Sequence, residues 1–248
     1  MQLLAPPLLA TKLLAFDTST DVMAIAVTDG TQTWQHVGAG GALTSAALIP
    51  AIMALLQQAN LKLTDLDAIV FGRGPGSFTG LRTACSVAQG LAFGAGGLPV
   101  LPMDTLLAVA EEARFAHGAT RVVALLDARM SEVYTARYEW LASSGSGADA
   151  CWQAQTEVQL MRPEQLQLAA PWVLAGNVFN PDTGALKAQM PLDLPCVEAL
   201  PTATAMLRLA PNMLAKGLGV AAELALPLYI RDKVAQTTAE RAAIKLAA

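Results

Sequence analysis

The sequence predicts an α/β fold of two lobes, each built on a mixed β-sheet flanked by helices. Short apolar runs typical of buried strands alternate with segments of helical periodicity along the 248 residues. A strand–turn–strand unit also occurs twice: residues 14–17 and the strand after them resemble residues 125–127 followed by 133–136. In both places a buried strand ends at an aspartate before a tight turn, and such a repeat indicates two lobes of related topology.

The first lobe is predicted over residues 12–105. Its elements, read from apolar periodicity and turn residues, are strand 13–16, strand 22–28, strand 31–37, helix 44–60, strand 66–71, helix 81–93 and strand 98–101. Leu48, Ile52 and Leu55 give the first helix an apolar face at helical spacing. The two helices are therefore expected on one sheet, each with one face buried.

The second lobe is predicted over residues 106–235. Its elements are helix 105–115, strand 121–126, strand 132–140, strand 172–175 and helix 202–216, with a flexible loop at 143–147. The pattern leaves open whether the last helix packs back on the first lobe. Residues 1–11 and 236–248 are expected to be loose termini.

The amino-acid composition and net charge argue against several classes of protein. Hydrophobic residues make up 54% and charged residues 15%, which is typical of a folded globular protein. A net charge of −4 argues against a protein that grips nucleic acid alone through its phosphates. The three widely spaced cysteines predict no disulfide framework, and no apolar run reaches the length of a membrane span. We expect a cytoplasmic protein without membrane contact.

A row of small residues marks the second helix. Gly80, Ala84, Ala88 and Ala92 recur every fourth residue and lie along one face. Such a row lets another element approach closely, which leaves two interpretations open. The row packs against the protein's own sheet, or it meets a helix of a partner chain.

Known catalytic patterns are missing from the sequence. The glycine-rich turn at residues 72–80 lacks the Lys and Ser/Thr of a Walker A loop and has the wrong spacing for a dinucleotide fingerprint. The only histidines, His36 and His117, are far apart, so no His-x-x-x-His metal pair exists. Ser77 lacks a nucleophile elbow. We expect no catalytic residue and no metal ligand.

The two strand-end aspartates, Asp17 and Asp127, resemble the hairpin turns of the actin-like ATPase architecture (ASKHA, RNase H-like), where turns from both lobes hold phosphates or a metal. More specifically, the sequence resembles the TsaB family, also called YeaZ, over residues 13–235. The segments that carry this resemblance are Asp-Thr-Ser-Thr at 17–20, Gly-Pro-Gly-Ser-Phe-Thr-Gly-Leu-Arg at 74–82, Gln-Gly-Leu-Ala at 89–92, Asp-Ala-Arg-Met-x-Glu-Val-Tyr at 127–134 and Pro-x-Tyr-x-Arg at 227–231.

The resemblance implies a non-catalytic partner and activator of the TsaD transferase, which forms N6-threonylcarbamoyladenosine at position 37 of tRNA. It also implies the ATPase TsaE as a second partner, a homodimer in isolation, and contact with tRNA only through the complex. The alternatives from other classes are an ATP-dependent small-molecule kinase and a self-dimerising regulatory protein.

The resemblance also implies where partners and nucleotides bind. Ser19 stands where ATP-binding relatives of this architecture have glycine, so the turns at Asp17, Ser19 and Asp127 are interpreted as weak, vestigial nucleotide turns. No cofactor is required, and weak ATP or ADP binding is expected at the subunit interface or on the partners. The family's dimer contact uses the two helices of the first lobe, which predicts an interface of Leu48, Ile52, Leu55, Gly80, Ala84, Ala88 and Ala92. Thr44-Ser45-Ala46 replace the His-Ser-Glu of many members.

Overall fold

A computed structural model describes residues 11–142, 150–167, 170–179 and 194–231. The loop predicted at 143–147 and the terminus predicted at 236–248 lie outside these ranges, as does the terminus predicted at 1–11 except for residue 11. The described chain folds around two mixed β-sheets, as the sequence predicts.

The first sheet has five strands in the order β3-β2-β1-β4-β5. They are β1 (Leu13–Asp17), β2 (Val22–Thr28), β3 (Thr33–Ala39), β4 (Ala68–Gly74) and β5 (Val100–Asp104). The first three form an antiparallel meander, and β4 and β5 continue the sheet in parallel. Strand β1 is central and wholly buried, so the turn after Asp17 leaves the middle of the sheet.

The second sheet repeats this arrangement in the order β11-β10-β6-β7-β8, with β9 also paired to β7. Its strands are β6 (Arg121–Asp127), β7 (Val133–Leu141), β8 (Cys151–Ala154), β9 (Gln159–Met161), β10 (Val173–Gly176) and β11 (Cys196–Glu198). Strand β6 occupies the place of β1, antiparallel to β7 and parallel to β10. The predicted duplication is confirmed, because both sheets share one strand order.

In the part of the chain that the structure describes, four α-helices cover the sheets: α1 (Thr44–Gln58), α2 (Phe78–Gly94), α3 (Thr105–His117) and α4 (Ala203–Ala215). Helices α1 and α2 bury apolar side chains against one face of the first sheet. Helix α4 packs on the opposite face, against β1 and β2, and it also contacts α3. Helix α3 reaches both sheets, so α3 and α4 join the two lobes at the back.

The structure differs from the predicted elements mainly at their ends. Helix α2 begins three residues before the predicted start because Ser77 caps it, its hydroxyl accepting a hydrogen bond from the Gly80 N–H. Strands β8, β9 and β11 were not predicted, since each is only three or four residues long. Within the described ranges, no helix combines the length and apolarity that crossing a lipid bilayer demands.

Candidate functional site

The glycine-rich turn packs directly on the turn that follows β1. A Cβ added at Gly76 would lie 2.5 Å from the Ser19 carbonyl oxygen, and one at Gly80 would lie 1.8 Å from that of Thr18. The Ser77 N–H donates to the Ser19 carbonyl at 2.7 Å, which fixes this approach. The glycines therefore let two backbone segments touch, and any side chain at Gly80 would push them apart.

Asp17 lies beneath this contact, not in the cleft. Its carboxylate is 1% exposed and accepts hydrogen bonds from the Ser19 N–H at 2.8 Å and the Ser19 hydroxyl at 2.6 Å. Its second oxygen faces the Thr105 hydroxyl at 3.4 Å and fills the space where Gly72 has no Cβ. Burial raises the pKa of Asp17 to about 6, although the hydrogen bonds from Ser19 and Thr105 oppose that rise. The assignment of Asp17 to a weak, vestigial nucleotide turn is corrected, because the Asp17 side chain belongs to the core and does not line the cleft.

The two lobes enclose a cleft between the turns after β1 and β6. It holds a cavity of about 330 Å³. Ser19 and Asp127 line this cavity, as predicted, together with Ser77, Asn177 and Arg231. The Asn177 side-chain carbonyl accepts the Asp127 N–H at 2.9 Å, so the second turn is tied to the end of β10. The cleft thus has polar walls from both lobes.

Arginines dominate the second-lobe side of the cleft. Arg129 extends across to Asp21, with its Nη2 2.7 Å and 3.0 Å from the two carboxylate oxygens. Arg231 pairs with Glu132 at 2.7 Å and donates to the Ala128 carbonyl at 3.0 Å. Both guanidinium groups already have acidic or carbonyl partners, so neither is a free receptor for an anion in this conformation.

Catalytic constellations are not found among the described residues. His36 lies on β3 and His117 at the end of α3, both exposed and outside the cleft. Ser77 serves as the cap of α2. In the described ranges, no three His, Cys, Asp or Glu side chains converge in a way that could hold a metal ion.

The predicted partner interface needs correction. All seven residues assigned to it are buried within the single chain, with Leu48, Ile52 and Ala88 each 0% exposed. The other four are Leu55, Gly80, Ala84 and Ala92. The small-residue row brings α2 close to the protein's own sheet, which is the first of the two interpretations left open by the sequence. A side chain without exposed surface cannot contact a partner, so these residues hold the helices and do not form the docking surface.

The outward faces of the same helices are apolar. Ile49 and Met53, one turn apart on α1, are 45% and 50% exposed, and Phe93 on α2 is 83% exposed. Leu43, just before α1, is 66% exposed. We call Leu43, Ile49, Met53 and Phe93 the outer patch. The sequence does not single out these positions, because α1 carries apolar residues on both faces and periodicity does not tell the exposed face from the buried one.

A C-terminal strap, residues 218–231, connects this region to the cleft. Val220 pairs with Val100 at the edge of the first sheet, and the Ala225 carbonyl accepts from the Gln89 side chain of α2 at 2.9 Å. Tyr229 stacks on Phe78 at the start of α2, with ring centroids 4.4 Å apart. The strap then reaches the second lobe through Arg231. The sequence shows the motif Pro-x-Tyr-x-Arg at residues 227–231, but it does not show the path of this segment.

Comparison with known proteins identifies the family. A family model described as TsaD, tRNA N6-adenosine threonylcarbamoyltransferase, matches residues 43–239. The chain is also 36% identical over 232 residues to the tRNA threonylcarbamoyladenosine biosynthesis protein TsaB of Escherichia coli, covering 90% of this chain and 96% of that protein. The chain belongs to the TsaB family.

Two further comparisons support the assignment to the TsaB family. The protein of the same description from Haemophilus influenzae is 37% identical over 228 residues, covering 90% of this chain and 94% of its own length. The solved structure described as YeaZ from Pseudomonas aeruginosa superposes with a TM-score of 0.77 at 37% identity, covering 88% of this chain and 99% of that one. Together with the repeated strand order, this confirms the predicted actin-like architecture.

Proposed function

We propose that this protein takes part in forming N6-threonylcarbamoyladenosine at position 37 of tRNA, in the cytoplasm, as the non-catalytic partner of the TsaD transferase. A role in forming this nucleoside is supported by the similarity to TsaB proteins over 90% of the chain, since those relatives are described as threonylcarbamoyladenosine biosynthesis proteins. In this proposal TsaD performs the transfer, TsaE joins as the ATPase, and tRNA meets this subunit only within the complex.

The observation that carries the partner role is the absence of charge on α1 and α2. Helix α1 has no charged residue in its 15 positions, and α2 has only Arg82 in its 17. A helix that faces water on one side normally carries charged side chains there. Depletion of charge around exposed apolar side chains is typical of the centre of a protein–protein interface.

The outer patch supplies the anchors of such an interface. Phe93 is the most exposed large apolar side chain among the described residues, and Met53 of α1 adds an adaptable apolar side chain that is 50% exposed. Around these anchors lie small exposed residues of the two helices: Ala46, Ala54, Gly90 and Gly94. Small residues let a facing helix approach closely, so the patch suits a pair of partner helices. The same face can pair with a second copy of this chain when TsaD is absent.

The cleft supports the non-catalytic part of the proposal. Arg129 and Arg231 are occupied by partners of this chain, and Asp17 faces the core. Of the three positions predicted for the nucleotide turns, Ser19 and Asp127 line the cavity and Asp17 does not. We propose that no cofactor is required on this subunit, and that ATP or ADP acts at the subunit interface or on the partners.

The test is reconstitution. Purified TsaD and TsaE from the same organism, with ATP, threonylcarbamoyl donor and tRNA, are assayed for the modified nucleoside by mass spectrometry. We expect product with this protein, and a loss of at least tenfold with Phe93→Glu, because a charge buried at an interface centre is costly. Leu141→Glu, an equally drastic change at an exposed position of β7, is the matched control and should keep full activity.

Two results would overturn the proposal. Full product without this protein would remove its role as activator. ATP hydrolysis by the purified protein alone, above that of a buffer blank, would favour the kinase alternative instead.

A further inference from the structure

One ion pair bridges the mouth of the cleft from lobe to lobe. Asp21 follows β1 in the first lobe, and Arg129 follows β6 in the second, 108 positions later. The Arg129 Nη2 contacts both Asp21 carboxylate oxygens, at 2.7 Å and 3.0 Å. The pair lines the same cavity as Ser19 and Ser77. It therefore lies where the two turns would separate if the lobes moved apart.

The backbone that presents Arg129 is strained. The φ values of Arg129, Met130 and Ser131 are 62°, 58° and 58°. They lie in the left-handed region, which residues other than glycine rarely adopt. Such a run persists only where its surroundings hold it. Here the Arg129 N–H donates to the Asp127 carboxylate at 2.7 Å, and the Ala128 N–H donates to the Glu132 carbonyl at 2.9 Å. The left-handed turn directs the Arg129 guanidinium across the cleft to Asp21.

The opposite side of the molecule is joined in another way. There Glu111 of α3 is 1% exposed and accepts hydrogen bonds from Arg114, from Trp152 of β8 and from Arg208 of α4. Apolar side chains of α3 and α4 surround this cluster. The lobes are thus joined by a buried, multiply bonded cluster on one side and by an exposed ion pair at the mouth of the cleft on the other. In this arrangement the buried cluster can act as a hinge and the ion pair as a latch.

We propose that Asp21 and Arg129 form a reversible interlobe latch that holds the cleft closed by joining the two lobes across its mouth. This goes beyond the partner role, since it concerns the isolated chain. The side chains of Arg129 and Asp21 are 67% and 74% exposed, so water and salt compete with the pair. An exposed pair of this kind shifts an equilibrium by at most about fivefold. The latch thus opens readily, unlike the junction at the back.

The test is hydrogen exchange with mass spectrometry on the full chain. For each substitution, the exchange rates are compared at amides on the opposite side of the cleft. In Asp21→Asn, the Ala128 and Glu132 amides, which bond within the second turn, should exchange about two- to fivefold faster. In Arg129→Gln, the Gly40 amide, which donates to the Asp21 carbonyl, should do the same. The double variant should show no increase beyond that of Arg129→Gln, because both changes remove the same interlobe pair and only Arg129→Gln also removes the contact of the Arg129 Nη1 with the Asp127 carboxylate at 3.4 Å.

Radical footprinting of Tyr134 separates lobe opening from loosening of one turn. Tyr134 lines the cavity and is 7% exposed, so its oxidation should rise in both single variants. Glu139→Gln is the control, because it breaks an exposed pair with Arg121 inside the second sheet and should leave both readouts unchanged. Exchange confined to the substituted turn, additive single effects, or unchanged Tyr134 oxidation would each overturn the latch.

Discussion

Replacing Asp17 by Asn tests how the turn after β1 is built. The carboxyl is buried under the glycine-rich turn, and its pKa rises from 3.8 to about 6 because burial disfavours the charged form. A rise of about two pKa units corresponds to about 3 kcal/mol of folding free energy. Asn keeps the size and the acceptor oxygen that the Ser19 N–H and hydroxyl use. It removes the charge that has to be buried, and it puts an amide nitrogen in place of the second oxygen, which accepts from the Thr105 hydroxyl at 3.4 Å.

The sign follows from proton binding. Between pH 3.8 and about 6 the folded state holds more protons on Asp17 than the unfolded state does, so wild-type stability falls as pH rises. The Asn variant lacks this term. Its stability relative to wild type should therefore increase by about 3 kcal/mol from pH values below 3.8 to values above about 6, most of it between these two pKa values. The measurement is the free energy of unfolding from urea titrations at a series of pH values.

Asp29→Asn is the matched control with the opposite sign. Asp29 begins the turn between β2 and β3, and the hydrogen bond from the Gln32 N–H, aided by those from Thr31, lowers its pKa. That stabilisation is present above the unfolded pKa and is lost as pH falls through the folded value, so this variant should be less stable than wild type at neutral pH and approach it in acid. A pH-independent difference for Asp17→Asn, or one that grows in acid, would refute the burial argument.

Three further predictions concern the core. Thr44→Val should stabilise the chain by about 1 kcal/mol in urea titrations, since the buried Thr44 hydroxyl has no hydrogen-bond partner among the described residues. Glu111→Gln should cost about 3 kcal/mol, because Arg114 and Arg208 lose the charge that they share; an unchanged urea midpoint would contradict this. Ala88→Glu should unfold the chain, as judged by circular dichroism, because the site is 0% exposed.

The sequence was sufficient for the fold because its strands are buried and repeated. The strand–turn–aspartate unit occurs at β1 and β6, the central strands of two sheets with one order. Turn chemistry located the helices only approximately: the glycine-rich turn at residues 72–80 predicts a helix from residue 81, whereas α2 begins at Phe78 after its Ser77 cap. Short edge strands such as β8 and β11 were missed, because three or four residues carry too little periodicity.

The candidate sites were less predictable, because periodicity reports that a face is apolar and not what it contacts. Ala84 and Leu48 fit an interface and a core equally well, and only packing showed that they lie in the core. The latch was hidden for a different reason. Asp21 and Arg129 are distant in sequence, and nothing local indicates that a left-handed turn brings them together.

The most direct test of the partner role is a binding titration of TsaD from the same organism into this protein, by calorimetry. We expect a one-to-one complex with wild type, affinity at least about thirtyfold weaker with Phe93→Ala, and unchanged affinity with Leu141→Ala, since both positions are exposed but only Phe93 lies in the outer patch. Equal affinity for all three proteins would show that the uncharged face of α1 and α2 is not the docking surface. No complex with wild type would contradict the proposed role itself.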